Sequence, residues 1–132
     1  MVARVTALIG PGPASQAPLA VTVLPSRAQG VPVLRLVGEI DLVTVGPLRE
    51  YLYQHALGAA RGVVLDCTEV SFLAACGIGL LIEIADQARA EGVTLRLVTQ
   101  SRAVLRVLEV TGMNGLVPRA ATVAEAVVQC SA

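Results

Sequence analysis

The chain has 132 residues, enough for one domain whose hydrophobic core closes without disulfide or metal staples. Ten acidic residues balance ten basic ones, all of the latter arginine, so no net field draws the protein to nucleic acid or to an anionic membrane. Two tyrosines, one phenylalanine and no tryptophan also leave it without the aromatic platforms on which single-stranded bases stack.

Residues 1–18 are rich in Gly, Pro, Ala and Ser and show no hydrophobic period. This predicts a flexible N-terminal extension, with room for a short strand early on, ahead of a single domain over residues 19–132. Val5–Ser26 is long enough to span a bilayer, but Gly10, Pro11, Gly12, Pro13, Pro18 and Pro25 interrupt it too often for a lipid-exposed helix. Arg4 followed by Val5–Ile9 falls equally short of a signal peptide. A cytoplasmic protein is expected, without membrane association. Cys67, Cys76 and Cys130 match no zinc spacing and suit free thiols in a reducing compartment.

Ala20–Leu24 alternates weakly, Ser26–Gly30 supplies turn residues, and Val31–Ile40 reads as a longer strand, so the pair predicts a hairpin. Asp41 ends the second strand, Thr44 suits a helix N-cap, and Pro47 falls in the first turn, where its missing N–H costs nothing. Leu48, Leu52 and His55 mark the apolar stripe of that helix, which closes at Gly58. Val63–Leu65 is a β-branched-rich run ending at Asp66, the pattern of a strand buried on both faces. From Ile78 the period changes: Leu81, Ile82 and Ala85 recur at helical spacing, with Glu83, Asp86 and Gln87 opposite. Cys67–Cys76 between them reads as a polar turn that delivers a helix N-terminus to the carboxyl end of a strand, where open α/β sheets carry their sites. Val70–Ile82 is uncharged, yet at about 13 residues it is short of the ~20 a membrane-spanning helix needs.

Beyond Gly92, Thr94–Val98 is a further strand, and Ser101 caps a helix whose Val104, Val107 and Leu108 face inward and which Gly112 closes. A short strand near Leu116 and Val117 leads to Thr122–Glu125, a capping box, and to a last helix with Val123, Ala126, Val127 and Cys130 on one stripe. The alternation predicts an α/β fold: a mixed, mostly parallel sheet with right-handed crossovers, an N-terminal antiparallel hairpin and about four helices.

No catalytic set emerges. His55 is the sole histidine, so metal binding fails for want of ligands. Cys76 as a nucleophile lacks a base that the sequence can place beside it. Gly77-Ile78-Gly79 is too short and wrongly placed for a phosphate loop. Glu39 and Asp41, two apart at a strand end, suit capping or partner contact better than acid–base work. No catalytic residue, metal or cofactor is expected.

Gly38-Glu39-Ile40-Asp41 with Thr44, then Val63-Val64-Leu65-Asp66, then Phe72-Leu73 running into Gly77-Ile78-Gly79-Leu80 resembles the STAS domain of bacterial anti-sigma factor antagonists. The segments Gly92–Val98 and Val104–Leu108 with Thr111-Gly112 extend the similarity over roughly residues 20–130. The resemblance implies a non-enzymatic, partner-switching regulator, a monomer or weak dimer. It would bind an anti-sigma factor of serine-kinase type and so affect sigma-factor availability, without contacting nucleic acid. In that family, phosphorylation of a Ser or Thr at the start of the central helix ends binding. Here the family's Asp-Ser-Ser/Thr-Gly is replaced by Ala74-Ala75-Cys76-Gly77, so Ala75 stands at the phosphorylation position without a hydroxyl. The implied partner-binding edge comprises Asp41 and Thr44 with Ala74, Ala75, Cys76 and Gly77. Small residues there also suit close packing of the helix start. Cys76, near a helix N-terminus, is a candidate redox sensor if its thiol is exposed and a packing residue if it is not. Ser71 and Thr68 are the nearest substitute hydroxyls. The alternative function for such a domain is a structural or regulatory subunit of an ABC lipid-transport system or a larger signalling assembly.

Overall fold

In the computed structural model, which describes residues 21–58, 61–112 and 115–131, the expected hairpin is formed by β1 (Val21–Ala28) and β2 (Val31–Ile40). The extension expected over residues 1–18 lies outside the described residues. The two strands pair antiparallel from Val21 opposite Gly38 to Ala28 opposite Val31. Their turn is shorter than the Ser26–Gly30 expected: only Gln29 and Gly30 lie outside the strands, with φ of 52° and 79°. Positive φ at both positions matches the twist of a two-residue hairpin. Pro25 and Ser26 continue β1, which tolerates proline because it is an edge strand.

Three helix–strand pairs and a final helix follow in order. Helix α1 (Val45–His55) leads to β3 (Gly62–Leu73), α2 (Ala75–Ala90) to β4 (Thr94–Val98), α3 (Arg102–Val110) to β5 (Arg119–Ala120), and α4 (Val123–Ser131) ends the described chain. The sheet order is β1-β2-β3-β4-β5, with every neighbour after the hairpin parallel. Strands added in one direction with right-handed crossovers put their helices on one face. Leu48 and Leu52 of α1, Leu81 and Ile84 of α2, and Val104 and Leu108 of α3 accordingly share a core with Leu34, Leu36, Val63, Leu65, Leu95 and Leu97. Helix α4 takes the opposite face, where Ala126, Val127 and Cys130 pack on Val33, Val64 and Val98. Val63, Val64 and Leu65 are thus buried on both sides, as their unbroken apolar run implies.

The main departure from the sequence reading is β3. It does not stop at Asp66: the residues read as a polar turn, as far as Leu73, continue the strand beside β2. The pairing slips twice, between Asp66 opposite Arg35 and Glu69 opposite Val37, and again between Val70 opposite Gly38 and Phe72 opposite Glu39. Each slip places an extra β3 residue against β2, and such bulges erase the alternation by which a strand is recognised. Side chains satisfy the disturbed backbone: Asp66 Oδ1 accepts from the Thr68 N–H at 3.0 Å and from the Thr68 hydroxyl at 2.7 Å, and the Ser71 hydroxyl donates to Gly38 O at 3.2 Å.

Smaller corrections follow the same logic. The strand expected near Leu116 and Val117 forms at Arg119–Ala120, where pairing with Leu97 and Val98 fixes it, while Val117 is buried in the preceding loop. Thr122 Oγ1 accepts from the Glu125 N–H at 3.1 Å, but Glu125 reaches back to the N–H of Ala121 rather than that of Thr122. Ser101 precedes α3 without a side-chain cap, and its own N–H donates to Thr99 Oγ1. His55 leaves the apolar stripe of α1: it is exposed and its ring lies 4.3 Å from that of Tyr51.

Candidate partner-binding site

Strands β2 and β3 end side by side, Ile40 opposite Leu73, and the chain turns from each into a helix. The Ala74 N–H donates to Ile40 O at 2.9 Å, extending the ladder by one bond and placing the start of α2 against the end of β2. Gly77 is buried in this contact. A Cβ built on it would lie 2.6 Å from Leu73 Cδ1 and 2.7 Å from Ile40 Cγ2, so only glycine lets the helix sit this close. Ala74 occupies the N-cap position in extended conformation and offers no side-chain cap. The first N–H groups of a helix have no partner within it, and here no side chain of the cap residue covers them. Ala75 is exposed and Ala74 and Cys76 are half-buried.

The loop between β2 and α1 is held by Asp41 and Thr44. Thr44 is fully buried; its hydroxyl accepts from the Asp41 N–H at 2.9 Å and donates to Glu39 O at 2.9 Å. Asp41 Oδ1 in turn accepts from the N–H groups of Val43 at 2.9 Å and Thr44 at 3.0 Å. Thr44 therefore acts on the turn before it and does not cap the helix with its side chain, contrary to the expectation from its position. This bonded loop presents Leu42 and Val43 outward, 83% and 40% exposed, and Phe72 at the end of β3 is 49% exposed. No periodicity marks these three side chains; the only sequence cue is that Leu42 and Val43 follow the residue that ends β2. Asp41, Thr44, Ala74, Ala75, Cys76 and Gly77 thus meet at one end of the sheet, bordered by an apolar rim.

Helix α2 is tied to α1 further along. Glu83 accepts from Arg49 Nε at 2.7 Å and from the Tyr53 hydroxyl at 2.6 Å, and the guanidinium lies 5.1 Å from the Tyr53 ring centre. The Tyr53 hydrogen bond, reinforced by Arg49, holds the Glu83 carboxyl below its usual range.

Of the thiols, Cys67 and Cys130 are buried and Cys76 is half-exposed. Burial pushes the Cys67 thiol well up, with the neighbouring Asp66 adding to it, and burial also raises Cys130. The substitute hydroxyls of Thr68 and Ser71 are exposed but already donate within the bulges. Among the described residues, no group of three or more His, Cys, Asp or Glu side chains could hold a metal ion, and no helix is long and apolar enough to cross a membrane.

The family described as STAS domain matches residues 24–126. The anti-sigma-F factor antagonist RsfB of Mycobacterium tuberculosis is 28% identical over 98 residues, 74% of this chain and 80% of that protein. A crystal structure of an anti-sigma factor antagonist from Mycobacterium paratuberculosis aligns with a TM-score of 0.78 at 26% identity, over 88% of this chain and 98% of that one. The unphosphorylated anti-sigma factor antagonist SpoIIAA shares the fold, with a TM-score of 0.66 at 23% identity over 81% of this chain and 94% of its own.

Proposed function

The chain belongs to the STAS domain family, and on that premise we propose that it is an anti-sigma factor antagonist-like regulator. It binds an anti-sigma factor of serine-kinase type and so affects sigma-factor availability. It acts by contact and not by catalysis. The contact surface is the edge where the Asp41–Thr44 loop meets Ala74–Gly77.

One observation carries this reading: the start of α2 is exposed at Ala75, built of small side chains, and flanked by the exposed Leu42, Val43 and Phe72. Small residues let a partner backbone approach the helix N–H groups, while the apolar rim supplies area to bury. The same position explains how the switch differs from the family's. A phosphate there would add about −1.5 to −2 charges and break a packed interface, but Ala75 has no oxygen to receive it. The protein is therefore a binder that phosphorylation at this position does not release. Thr68 and Ser71 are poor replacements, since each hydroxyl already holds a bulge together.

The test is calorimetric titration of the purified protein against each kinase-type anti-sigma factor encoded in the same genome. Ala75→Asp serves as the interface variant and Arg106→Ala, on the exposed side of α3, as the distant one. Binding that Ala75→Asp weakens and Arg106→Ala leaves unchanged supports the reading; no binding to any of them, or equal loss in both variants, overturns it.

A further inference from the structure

We infer that the cleft between the last turn of α1 and the tip half of the β1–β2 hairpin is a binding site for a small monocarboxylate with a flat apolar body, the chemistry of an aryl acid. The cleft measures about 410 Å³, within the roughly 300–1,000 Å³ of small-molecule sites. Its floor is set by strand register. Pro25 pairs with Leu34 and Arg27 with Pro32, and Leu34 belongs to the main core, so these four side chains fall on the face that α1 packs against. Leu34 is buried and both prolines are half-buried, and neither proline brings an N–H to the floor. Tyr51 and His55, one turn apart on α1, form the wall, their ring centres 4.3 Å apart.

Charge decides what fits. Arg27 and His55 are exposed and line the cleft, and among the described residues no acidic side chain lines it. Arg35, Arg49 and Arg89 each pair with a carboxylate, whereas Arg27 forms no ion pair among the described residues. Its Nη1 donates to Gly30 O at 3.2 Å, which holds the arm at the hairpin turn and leaves the other guanidinium N–H groups for a ligand. The His55 ring has an N–H to donate in either protonation state. A permanent cation beside an apolar floor selects an anion that carries an apolar body. Arg27 takes the carboxylate by paired, charge-assisted hydrogen bonds, and the ring packs on Tyr51 and the proline rings. A second charge on the ligand would lie over a floor that offers it no donor. Six residues of β2, about 20 Å, separate Leu34 from Ile40 at the partner edge, so this site stands whether or not that edge binds an anti-sigma factor.

His55 is the only histidine in the chain, so its Cε1–H gives one proton NMR line beside the proposed contact. The probe is 3-phenylpropanoate, titrated at fixed pH and ionic strength, with 3-phenylpropanamide as its uncharged isostere and acetate as the charge without the ring. The expected result is a saturable shift of the His55 line by the aryl acid, with binding of the amide at least about ten-fold weaker, the loss of a hydrogen bond between charged groups. Arg27→Gln should weaken the aryl acid by a similar factor, and Arg106→Gln, on the exposed side of α3, should leave it unchanged. Protection of the buried Cys67 from alkylation checks that each variant is folded. Equal affinity for acid and amide in the unaltered chain overturns the proposal, and so does equal affinity for acetate. A His55 line that the aryl acid does not shift saturably overturns it as well.

Discussion

A Cβ on Gly77 would stand 2.7 Å from Ile40 Cγ2, so the start of α2 and the end of β2 touch at a point that only a hydrogen can fill. Gly77→Ala should therefore force the stiff, β-branched Ile40 to move, an overpacking cost of about 1–3 kcal/mol. Gly79, in the same helix, has nothing within 4 Å of its notional Cβ, and alanine there should stabilise by up to about 1 kcal/mol. Subtracting the two removes the helix-propensity term. A difference below about 0.5 kcal/mol in denaturant titrations would mean that the contact yields more readily than its geometry implies.

The Asp41–Thr44 loop separates hydrogen bonding from charge. Thr44→Val keeps the shape but leaves the Asp41 N–H and the Glu39 carbonyl without their hydroxyl partner, and should cost about 1–3 kcal/mol. Asp41→Asn retains an oxygen for the Val43 and Thr44 N–H groups and should alter stability by no more than about 0.5 kcal/mol. If Asp41→Asn proves as damaging to thermal stability as Thr44→Val, the charge itself holds the loop.

Charge at the start of α2 should discriminate folding from binding. Ala75→Asp is tolerated in the free protein because anions are favoured at a helix N-terminus and Ala75 is exposed. In a complex the carboxylate must be desolvated without a counter-ion, and affinity should fall by about 2–4 kcal/mol with the melting temperature unchanged. A parallel drop in melting temperature would show the effect to be structural.

Restoring a hydroxyl at residue 75 tests the proposal that phosphorylation does not act there. The protein itself should leave a kinase-type partner and ATP without phosphate at residues 74–77, as read by mass spectrometry, whereas Ala75→Ser should become modified. Stoichiometric phosphate on Ser71 or Thr68 would show instead that the switch has moved by a few residues. If Ala75→Ser stays unmodified with active kinase, the equivalence of this turn to the family's phosphorylation site fails.

The thiols predict a pH dependence. Burial raises the folded-state pKa of Cys67 above that of the unfolded chain, so the folded form holds its proton where the unfolded form releases it. The associated stability is fully present below the unfolded thiol value of about 8.5 and is lost as pH rises above it, by up to about 1.4 kcal/mol per pH unit for this one group. Cys130 adds in the same direction. Denaturant midpoints that stay flat from neutral pH to mild alkali in the native protein, and match those of Cys67→Ala, would show that the thiol ionises without unfolding. Alkylation at neutral pH should label Cys76 first, since the other two thiols are buried; slow labelling of Cys76 would remove the redox-sensor reading.

Local pattern was sufficient wherever an element carries its own boundaries. Val31–Ile40 and Thr94–Val98 form as their alternation and flanking turn residues imply, and the stripe Ala126, Val127, Cys130 docks α4 as its spacing requires. The residues proposed as a partner edge were named by resemblance, and that Asp41–Thr44 and Ala74–Gly77 lie together at one end of the sheet was foreshadowed by the rule that places sites at strand carboxyl ends. What the sequence could not decide is everything that depends on a neighbour. The second half of β3 is a strand only because β2 pairs with it through two bulges, whose extra residues break the period-two signal. The position of β5 is set by Leu97 and Val98 and not by its own hydropathy. Leu42 and Val43 are exposed on the loop that the Asp41–Thr44 hydrogen bonds hold, and Phe72 is exposed at the end of the bulged strand β3. Periodicity reports which side of an element is apolar, but only tertiary packing determines which apolar side chains are left without a cover, because that depends on the extent of the layer above them.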